Sequence, residues 1–417
     1  MPDNSYIVAH RVEPGCRCCG SPRLVPTLDL GVTPLADRLL SDRTLREPEP
    51  ICPLTVVTCE DCSLVQIRET VDPTILFGAD YPYYSSVSEG LLRHFAGTTV
   101  AARRRRPVDG ASLVVELASN DGYLLRNYVQ DGIPVLGIDP AKGPVEVARQ
   151  RGVDTMEAFF TRDLAQELAA AGRRADILHA NNVLAHVADT NGFVAGIALV
   201  LKDDGLAVIE CPYVRDLVDH CEFDTIYHQH LCYFSVTALV ALFRRHGLVL
   251  VDVERVAIHG GSLRLFVAKQ GAPGPAVQAI LAEERALGLD GPAYYATFAE
   301  RVRNLRTRLR DLVDRLKADD ARIVGYGAAA KACTLLAYTG IGAKHLDCLV
   351  DKSTFKQGWY FPGNHLPIRS PDVLLETQPD YTLILPWNFA EEIIAQQAEY
   401  RRRGGRFIVP VPEPVIV

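Results

Sequence analysis

The sequence predicts an α/β protein in which two Rossmann-like domains follow a small cysteine-rich head. Two Cys-x-x-Cys pairs lie within the first 62 residues, and an apolar strand runs into a tight turn and a helix at 113–123 and again at 322–331. Apolar strands that alternate with helices are typical of a mostly parallel sheet, whose ligands bind at the carboxyl ends of the strands. We therefore expect three domains, at residues 1–77, 78–267 and 268–417.

The composition limits the possible function classes. The chain has 417 residues, enough for two or three domains, and its net charge of −7 argues against nucleic-acid binding. No apolar run approaches the roughly 20 residues of a membrane span, and the N-terminus lacks the basic-then-apolar pattern of a secretory signal. We expect a cytoplasmic protein that binds neither nucleic acid nor a membrane, and we favour a monomer.

The cysteines predict a metal site in the head. Six of the 11 cysteines precede residue 63, and four of them form two Cys-x-x-Cys knuckles, which favours a metal over a disulfide framework. Two knuckles present four thiolates to one tetrahedral Zn²⁺, and the paired spacing favours these four over Cys18. Because four sulfur ligands leave no open position, we expect a structural zinc ion. The expected ligands are Cys16, Cys19, Cys59 and Cys62.

The turn after the first apolar strand predicts the ligand of the middle domain. Glu116 and Asp121 repel phosphate, but they suit a cationic, hydroxyl-rich ligand such as S-adenosylmethionine (SAM). Asp139 ends the next strand, about 20 residues after the turn, where an acid binds ribose hydroxyls. A plain strand-turn-helix corner is the alternative. The candidate cofactor-binding residues are Glu116, Ala118, Asn120, Asp121, Gly122, Asp139, Asn181 and Asn182.

The run Tyr227-His228-Gln229-His230 has the richest chemistry in the chain. Histidine is the side chain best suited to moving protons near neutral pH, so a general base is favoured here. Metal binding by the two histidines is less favoured because no acid stands close in sequence, and a structural role stays open. His186 is either at the same cleft or structural. The candidate catalytic residues are His230, Tyr227, His186, His228 and Gln229.

Two loops of the middle domain are candidates for substrate contacts. Tyr81 and Tyr83 lie on a proline-containing loop that is either a surface turn or a ligand lid. His259 and Gly260 belong to a His-Gly-Gly turn whose glycines allow close backbone approach to a ligand. Arg264 could pair with an anion. A simple hairpin turn is the alternative for this second loop.

The C-terminal domain begins with a G-x-G-x-x-A pattern between a strand and a helix, at residues 325–330. Backbone amides and a helix N-terminus suit a pyrophosphate, so NAD and a nucleotide sugar are equally open from this motif. Further acids, lysines and an aromatic residue follow the neighbouring strands. The candidate substrate-binding residues here are Gly325, Tyr326, Gly327, Ala328, Lys331, Asp351, Lys356, Trp387 and Asn388.

Taken in order, these motifs resemble those of the SAM-dependent sugar C-methyltransferases of antibiotic deoxysugar pathways, such as those that make tetronitrose or mycarose. The resemblance covers nearly the whole chain. Two positions depart from the family pattern: Ala118 stands where Gly is usual in the SAM turn, and Gln229 stands where related enzymes carry Glu. An amide cannot take a proton, so a relay through that position would need another group, for which we consider His228.

The resemblance implies that the middle domain binds SAM and that the C-terminal domain holds a dTDP-4-keto-deoxyhexose. Methyl transfer would go to a ring carbon beside the ketone, with C-3 favoured over C-5, and C-3 bearing either an amino or a hydroxyl group. His230 would be the base, with Tyr227 and His186 as donors to the oxyanion. The alternatives are an NAD-dependent nucleotide-sugar oxidoreductase or epimerase and a zinc-dependent binding module without catalysis.

Overall fold

The computed structural model describes residues 5–77, 84–87, 89–258 and 260–417. The candidate residues Tyr81, Tyr83 and His259 lie outside these ranges. Within the described part of the chain, no helix is long and apolar enough to cross a membrane.

The N-terminal head is built around a mixed sheet with the strand order β1-β4-β5-β12, to which β3 adds by pairing with β4. A two-stranded ribbon of β2 and β6 lies beside it. The strand β12 belongs to a distant part of the chain, just after the histidine cluster. The strands are β1 Ser5–Ile7, β2 His10–Val12, β3 Leu24–Pro34, β4 Glu49–Cys59, β5 Val65–Ile67, β6 Glu69–Val71 and β12 Cys232–Tyr233.

The middle sheet has the strand order β13-β14-β11-β10-β7-β8-β9. The strands from β11 to β9 are parallel, and β14 runs antiparallel to both of its neighbours. The carboxyl ends of β8, β7 and β10 therefore lie side by side. The strands are β7 Val114–Leu117, β8 Val135–Asp139, β9 Thr155–Glu157, β10 Ala175–Asn181, β11 Leu201–Pro212, β13 Val249–Val256 and β14 Ser262–Ala268.

The C-terminal sheet has the strand order β17-β16-β15-β18-β19-β20, and only the last pair is antiparallel among the described strands. The loops after β16, β15 and β18 thus meet at one edge. The strands are β15 Ile323–Tyr326, β16 Leu349–Val350, β17 Ile368–Arg369, β18 Tyr381–Ile384, β19 Arg406–Val409 and β20 Val415–Ile416.

Helices cover the sheets and join the three units. The long helix α10 buries one apolar stripe and contacts β3 of the head and α11 of the C-terminal unit. The α-helices are α1 Pro73–Leu76, α2 Glu89–Arg105, α3 Arg126–Val129, α4 Lys142–Gln150, α5 Arg162–Ala170, α6 Thr190–Val200, α7 Val214–Asp219, α8 Val236–Arg245, α9 Pro275–Leu287, α10 Pro292–Ala318, α11 Ala330–Thr339, α12 Val373–Thr377, α13 Ala390–Gln396 and α14 Ala398–Arg402. Short 3₁₀ turns are Thr44–Arg46, Ser85–Val87, Leu184–His186, Phe223–Thr225 and Trp387–Phe389.

The three sheets share one core. A single hydrophobic cluster contains Leu54 of β4, Leu117 of β7 and Leu383 of β18, all of which are fully buried. Burial of apolar surface stabilises each contact by about 25 cal/mol per Å². The head, the middle sheet and the C-terminal sheet are therefore packed around one shared core.

Candidate active site

The turn after β7 has three residues in the left-handed backbone region. Ala118, Asn120 and Gly122 have φ values of +56°, +47° and +76°. A Cβ at Gly122 would lie 2.9 Å from Cγ2 of Val153, so glycine is required there for both strain and space. Ala118 pays the left-handed strain with a Cβ present, about 1–2 kcal/mol. The chain thereby turns sharply at the end of the strand, and the N–H groups of Ser119 and Gly122 donate to backbone carbonyls within the protein.

Asp139, at the end of β8, holds this turn. Its carboxylate accepts hydrogen bonds from the Asn120 N–H at 2.9 Å and from the Ala141 N–H at 2.8 Å. Burial raises the pKa of Asp139, against the lowering effect of these two bonds. A carboxylate oxygen has more than one lone pair, so Asp139 can shape the turn and still accept from ribose hydroxyls.

The two acids of the turn differ in their surroundings. The carboxylate of Asp121 is paired with Arg151 at 3.0 Å and bonded by the Ser86 hydroxyl, so its charge is largely balanced within the protein. Glu116 is fully buried, and desolvation raises its pKa well above the usual range, against the lowering effect of Tyr123 and Asn181. A cationic ligand at this edge would offset the cost of burying a charged Glu116, whereas Asp121 already has Arg151 as its partner.

Asn181 and Asn182 complete the SAM side. Asn181 ends β10, the strand beside β7, and Asn182 follows it with a φ of +52°. The Oδ1 atom of Asn182 is buried and accepts no hydrogen bond among the described residues. The structure thus brings all eight predicted cofactor residues to one edge of the sheet, with polar atoms available to a ligand.

His230 is held in one tautomer by its neighbours. Its Nδ1 lies 2.7 Å from the carbonyl oxygen of Thr225, and because a carbonyl can only accept, Nδ1 carries the proton. In the neutral ring Nε2 is then the acceptor, and it lies 3.0 Å from the hydroxyl of Tyr227. The two rings also overlap, with centroids 4.1 Å apart. His230 therefore presents a basic Nε2 to which Tyr227 donates.

His186 lies beside this pair. Its ring is 4.7 Å from that of His230 in an edge-to-face arrangement and 5.8 Å from Phe77. Burial lowers the pKa of His186 to about 4, although a hydrogen bond with the backbone of Gln229 raises it in part. A neutral ring at neutral pH can donate a hydrogen bond without competing for the proton that a base removes.

His228 and Gln229 point into the head and not towards His230. The Nε2 of His228 lies 2.9 Å from the carbonyl oxygen of Pro53 in β4, and burial lowers the pKa of this histidine to about 4. Gln229 donates its amide to the carbonyl oxygen of Leu76 at 3.3 Å. Both side chains are thus engaged with the head, and their catalytic role, including a relay through His228, stays a prediction. An amide also suits position 229, because a carboxylate could not donate to Leu76.

Gly260 and Gly261 lie against acids of the protein itself. A Cβ at Gly260, whose φ is +91°, would clash with the carboxylate of Glu222. The group that approaches this glycine closely is therefore Glu222 of the protein itself. Each nitrogen of the Arg264 guanidinium donates within the protein: to Glu210 at 2.7 Å, to Glu254 at 3.0 Å and to the hydroxyl of Thr98 at 2.8 Å. Arg264 thus lies in a buried network with carboxylates of the protein itself, and its pairing with a substrate anion stays a prediction.

The loop after β15 is shaped like the SAM turn. Side chains at Gly325 and Gly327 would clash with Leu349 and Pro386. Asp351 accepts from the N–H groups of Ala328 at 2.7 Å and Ser353 at 2.8 Å, as Asp139 accepts from two N–H groups in the middle sheet.

The other predicted residues of this loop lie around the start of the following helix. Tyr326, at the end of β15, is buried. The loop leads to α11, and no side chain of the described residues caps the start of that helix. Lys356 binds the Ala328 carbonyl at 2.7 Å.

A cluster of four side chains joins the C-terminal unit to the histidine segment. We call Asp224, Lys331, Trp387 and Asn388 the bridging cluster. The indole N–H of Trp387 donates to Asp224 at 2.8 Å, and the Nζ of Lys331 lies 2.7 Å from the Asn388 oxygen and 4.1 Å from the indole centroid. Burial lowers the pKa of Lys331, against the raising effect of Asp224 and Glu222.

Sequence reasoning missed two contributors to this region. Thr225 acts through its carbonyl oxygen, which orients His230 and leaves no side-chain signal. Asp224 is fully buried next to it, and desolvation raises its pKa to about 6. The available signal was an acid between apolar residues in Phe223 to Ile226, which predicts a partnered carboxylate.

The four predicted metal ligands converge. Their sulfur atoms all lie within 4.8 Å of one another, with Cys16 to Cys62 at 3.4 Å and Cys19 to Cys59 at 3.5 Å. Ligands of a tetrahedral zinc ion are roughly 3.8 Å apart at a Zn–S distance of about 2.3 Å, so the donor set fits Zn²⁺. The Cys18 thiol points instead towards the Ala238 carbonyl.

Comparison with known proteins agrees with this architecture. Family models match a zinc binding domain at residues 16–77, a methyltransferase domain at 93–253 and a C-methyltransferase C-terminal domain at 257–412. The C-methyltransferase NovU of Streptomyces niveus is 38% identical over 405 residues, which cover 96% of each chain. A ubiquinone biosynthesis O-methyltransferase of Azorhizobium caulinodans is 29% identical over 30% of this chain and 47% of its own.

Solved methyltransferases with SAM also align with part of the chain. Magnesium protoporphyrin IX methyltransferase of Synechocystis PCC 6803 covers 43% of this chain and 79% of its own at 14% identity, with a TM-score of 0.32. The glycopeptide N-methyltransferase MtfA covers 45% and 96% at 14% identity, with a TM-score of 0.33.

The cofactor-binding edge and the family models define a SAM-dependent methyltransferase with a structural zinc site. The full-length similarity narrows this further. The chain belongs to the C-methyltransferase family, to which NovU also belongs. Membership of this family favours methylation of carbon over the two alternatives from the sequence, an NAD-dependent oxidoreductase and a zinc-dependent binding module.

Proposed function

We propose that this enzyme methylates a carbon beside the ketone of a dTDP-4-keto-deoxyhexose, at C-3. The observation that carries the proposal is the fixed tautomer of His230, whose basic Nε2 lies with Tyr227 and His186. A C–H bond is not nucleophilic, but a neighbouring ketone makes it acidic because the resulting enolate is delocalised. An imidazole whose second nitrogen is an acceptor can remove the proton in such a reaction.

His230 takes the proton from carbon at Nε2 in this scheme. The bond from Nδ1–H to the Thr225 carbonyl then stabilises the imidazolium that forms, because both ring nitrogens have become donors. In catalytic histidines, an acceptor at one ring nitrogen fixes the tautomer and the orientation of the ring, and the carbonyl of Thr225 has this role here.

Tyr227 has two successive roles in this scheme. In the free enzyme its hydroxyl donates to His230 Nε2. When the ketone of the substrate binds, the hydroxyl turns to that oxygen, which frees the lone pair of Nε2 and places a donor at the developing oxyanion. His186, neutral because its pKa is lowered to about 4, is the second donor. Such donors commonly supply the largest share of rate enhancement.

SAM supplies an electrophilic methyl group when bound. The residues that would hold it are those at the ends of β7, β8 and β10, with Asp139 at the ribose and the buried Glu116 towards the cationic portion. The acceptor's pyrophosphate would lie at the uncapped start of α11, near Lys331. Binding of the nucleotide away from the reacting carbon would then position the sugar ring.

The test is incubation with methyl-labelled SAM and a panel of dTDP-4-keto sugars, with the methylated carbon identified by NMR. We expect label at C-3 of one panel member, and label at C-5 would keep the reaction class but refute the position. Absence of transfer to every sugar would refute the proposed substrate class.

The assignment of the base is tested with His230→Asn. We expect a loss of roughly 10²–10⁴-fold in kcat, which is the contribution typical of a general base. His345→Asn is the matched control, because His345 accepts from the Gly342 N–H at 3.1 Å and lies 3.2 Å from Asp314 of α10, outside the contacts of the histidine segment. Turnover of His230→Asn close to that of the control would rule out His230 as the base.

A further inference from the structure

The segment that carries His230 is part of the sheet of the zinc-bearing head. Strand β12 starts two residues after His230 and pairs antiparallel with β5, with Cys232 opposite Gln66. The N–H of Ile67 also donates to the Leu231 carbonyl at 3.0 Å. The strand β5 begins shortly after the second zinc knuckle, so the metal site and the histidine segment are ends of one hydrogen-bonded unit.

Gln66 joins the first zinc knuckle to this unit. Its side chain is fully buried, its Oε1 accepts the N–H of Arg17 at 2.8 Å, and its Nε2 donates to the Gly15 carbonyl at 3.3 Å. These two backbone groups flank the zinc ligand Cys16. Both ends of the Gln66 amide are therefore used to hold the knuckle against the strand that pairs with β12.

The same knuckle also reaches the segment after His186. The Nδ2 of Asn191 donates to the carbonyl oxygens of Arg17 at 2.6 Å and Cys18 at 3.0 Å. The N–H of Leu231 donates to the Ala185 carbonyl at 2.7 Å, which ties the two histidine segments to each other. The head thus contacts the chain close to both histidines of the site.

The SAM turn depends on different contacts. It is held by Asp139 of β8 and by the Arg151 bond to Asp121, all within the middle unit. A displacement of the zinc knuckle would therefore alter the positions of His230 and His186 more than those of the cofactor-binding residues.

We propose that the zinc site positions the catalytic histidines, with Gln66 as the positioning residue that transmits the order of the knuckle to β12. This inference rests on the proposed role of His230 for its kinetic part. Zinc keeps four thiolates together, and without it the knuckle loses the constraint that fixes Gly15 and Arg17. A shift of about 1 Å in a catalytic group can cost roughly 10²-fold in rate.

The experiment compares the full-length zinc-bound enzyme, Gln66→Ala and the control Gln278→Ala, whose amide bonds the Pro273 carbonyl on an exposed surface. We expect Gln66→Ala to bind SAM within twofold of the wild-type affinity and to lose roughly tenfold to a hundredfold in kcat. An unchanged kcat, or an equal loss of SAM affinity in a folded variant, would overturn the proposal.

A second readout needs no substrate. In enzyme labelled with ¹⁵N-histidine, the signals of His230, assigned by their loss in His230→Asn, should show the single Nδ1–H tautomer. Gln66→Ala, or wild-type enzyme treated with a zinc chelator, should show averaged tautomers, and unchanged signals would refute the positioning role. If Gln66→Ala does not fold, Gln66→Glu carries the same measurements, because it keeps the acceptor for Arg17 and loses the donor to Gly15. Failure of the substrate panel alone would refute the proposed function and leave this readout intact.

Discussion

Replacement of Asp224 by Asn should make the protein more stable at neutral pH and leave it unchanged in acid. Asp224 is fully buried in the bridging cluster, where its carboxylate accepts the indole N–H of Trp387 at 2.8 Å and faces Lys331 and Glu222. An asparagine oxygen keeps the bond to Trp387 and removes the buried negative charge. The change therefore isolates the cost of ionising one side chain.

The magnitude follows from the pKa. Desolvation raises the pKa of Asp224 from 3.8 to about 6, and the attraction of Lys331 offsets only part of it. This shift of roughly two units corresponds to about 3 kcal/mol. Because the folded pKa lies above the unfolded one, the stability that protonated Asp224 contributes is fully present below about pH 4 and is lost as the pH rises through about 6.

The assay is urea denaturation of both proteins from pH 4 to 8. Burial raises the pKa of Glu222 to about 8, and the charge of Asp224 adds to this effect, so Asp224→Asn lowers the pKa of Glu222 and adds a stabilisation of the same sign at the upper end of the range. We expect the free energy of unfolding of Asp224→Asn to exceed that of wild type by an amount that grows to about 3 kcal/mol between pH 4 and 7.5. A difference that does not vary with pH would refute the reasoning. Asp203→Asn, at an exposed carboxylate paired with Lys269, is the control and should show no such trend.

Three further changes test the site. Tyr227→Phe should lower kcat roughly 10²–10³-fold, because one oxyanion donor is lost, with SAM affinity measured by calorimetry unchanged. Ala118→Gly should remove the strain of a φ of +56° and raise the free energy of unfolding in urea by about 1 kcal/mol, and a lower free energy would contradict this. Arg264→Met should cost about 3 kcal/mol in urea denaturation, because buried Glu210 loses its arginine and keeps only His94 and Thr98, with the KM for the sugar unchanged. The control Arg308→Met breaks an exposed pair and should cost below about 1 kcal/mol.

The parts of this protein that depend on short-range spacing could be predicted from the sequence. The two Cys-x-x-Cys knuckles identify Cys16, Cys19, Cys59 and Cys62 because the geometry of a knuckle is set within four residues. The SAM turn is also local: an apolar strand, a positive-φ residue such as Gly122 and an acid after the next strand place their groups at one edge of a parallel sheet.

Only the tertiary structure decided which polar residues lie together in the candidate site. His228 and His230 are two residues apart, yet β4 and α1 of the head take His228 and Gln229, while the Thr225 carbonyl takes His230. Arg264 likewise has a partner, Glu210, that lies 54 positions away in sequence. These outcomes depend on which carbonyl or carboxylate, distant in sequence, lies within hydrogen-bond distance of each side chain in the folded chain. That choice is made by the packing of three sheets and is not encoded in local spacing.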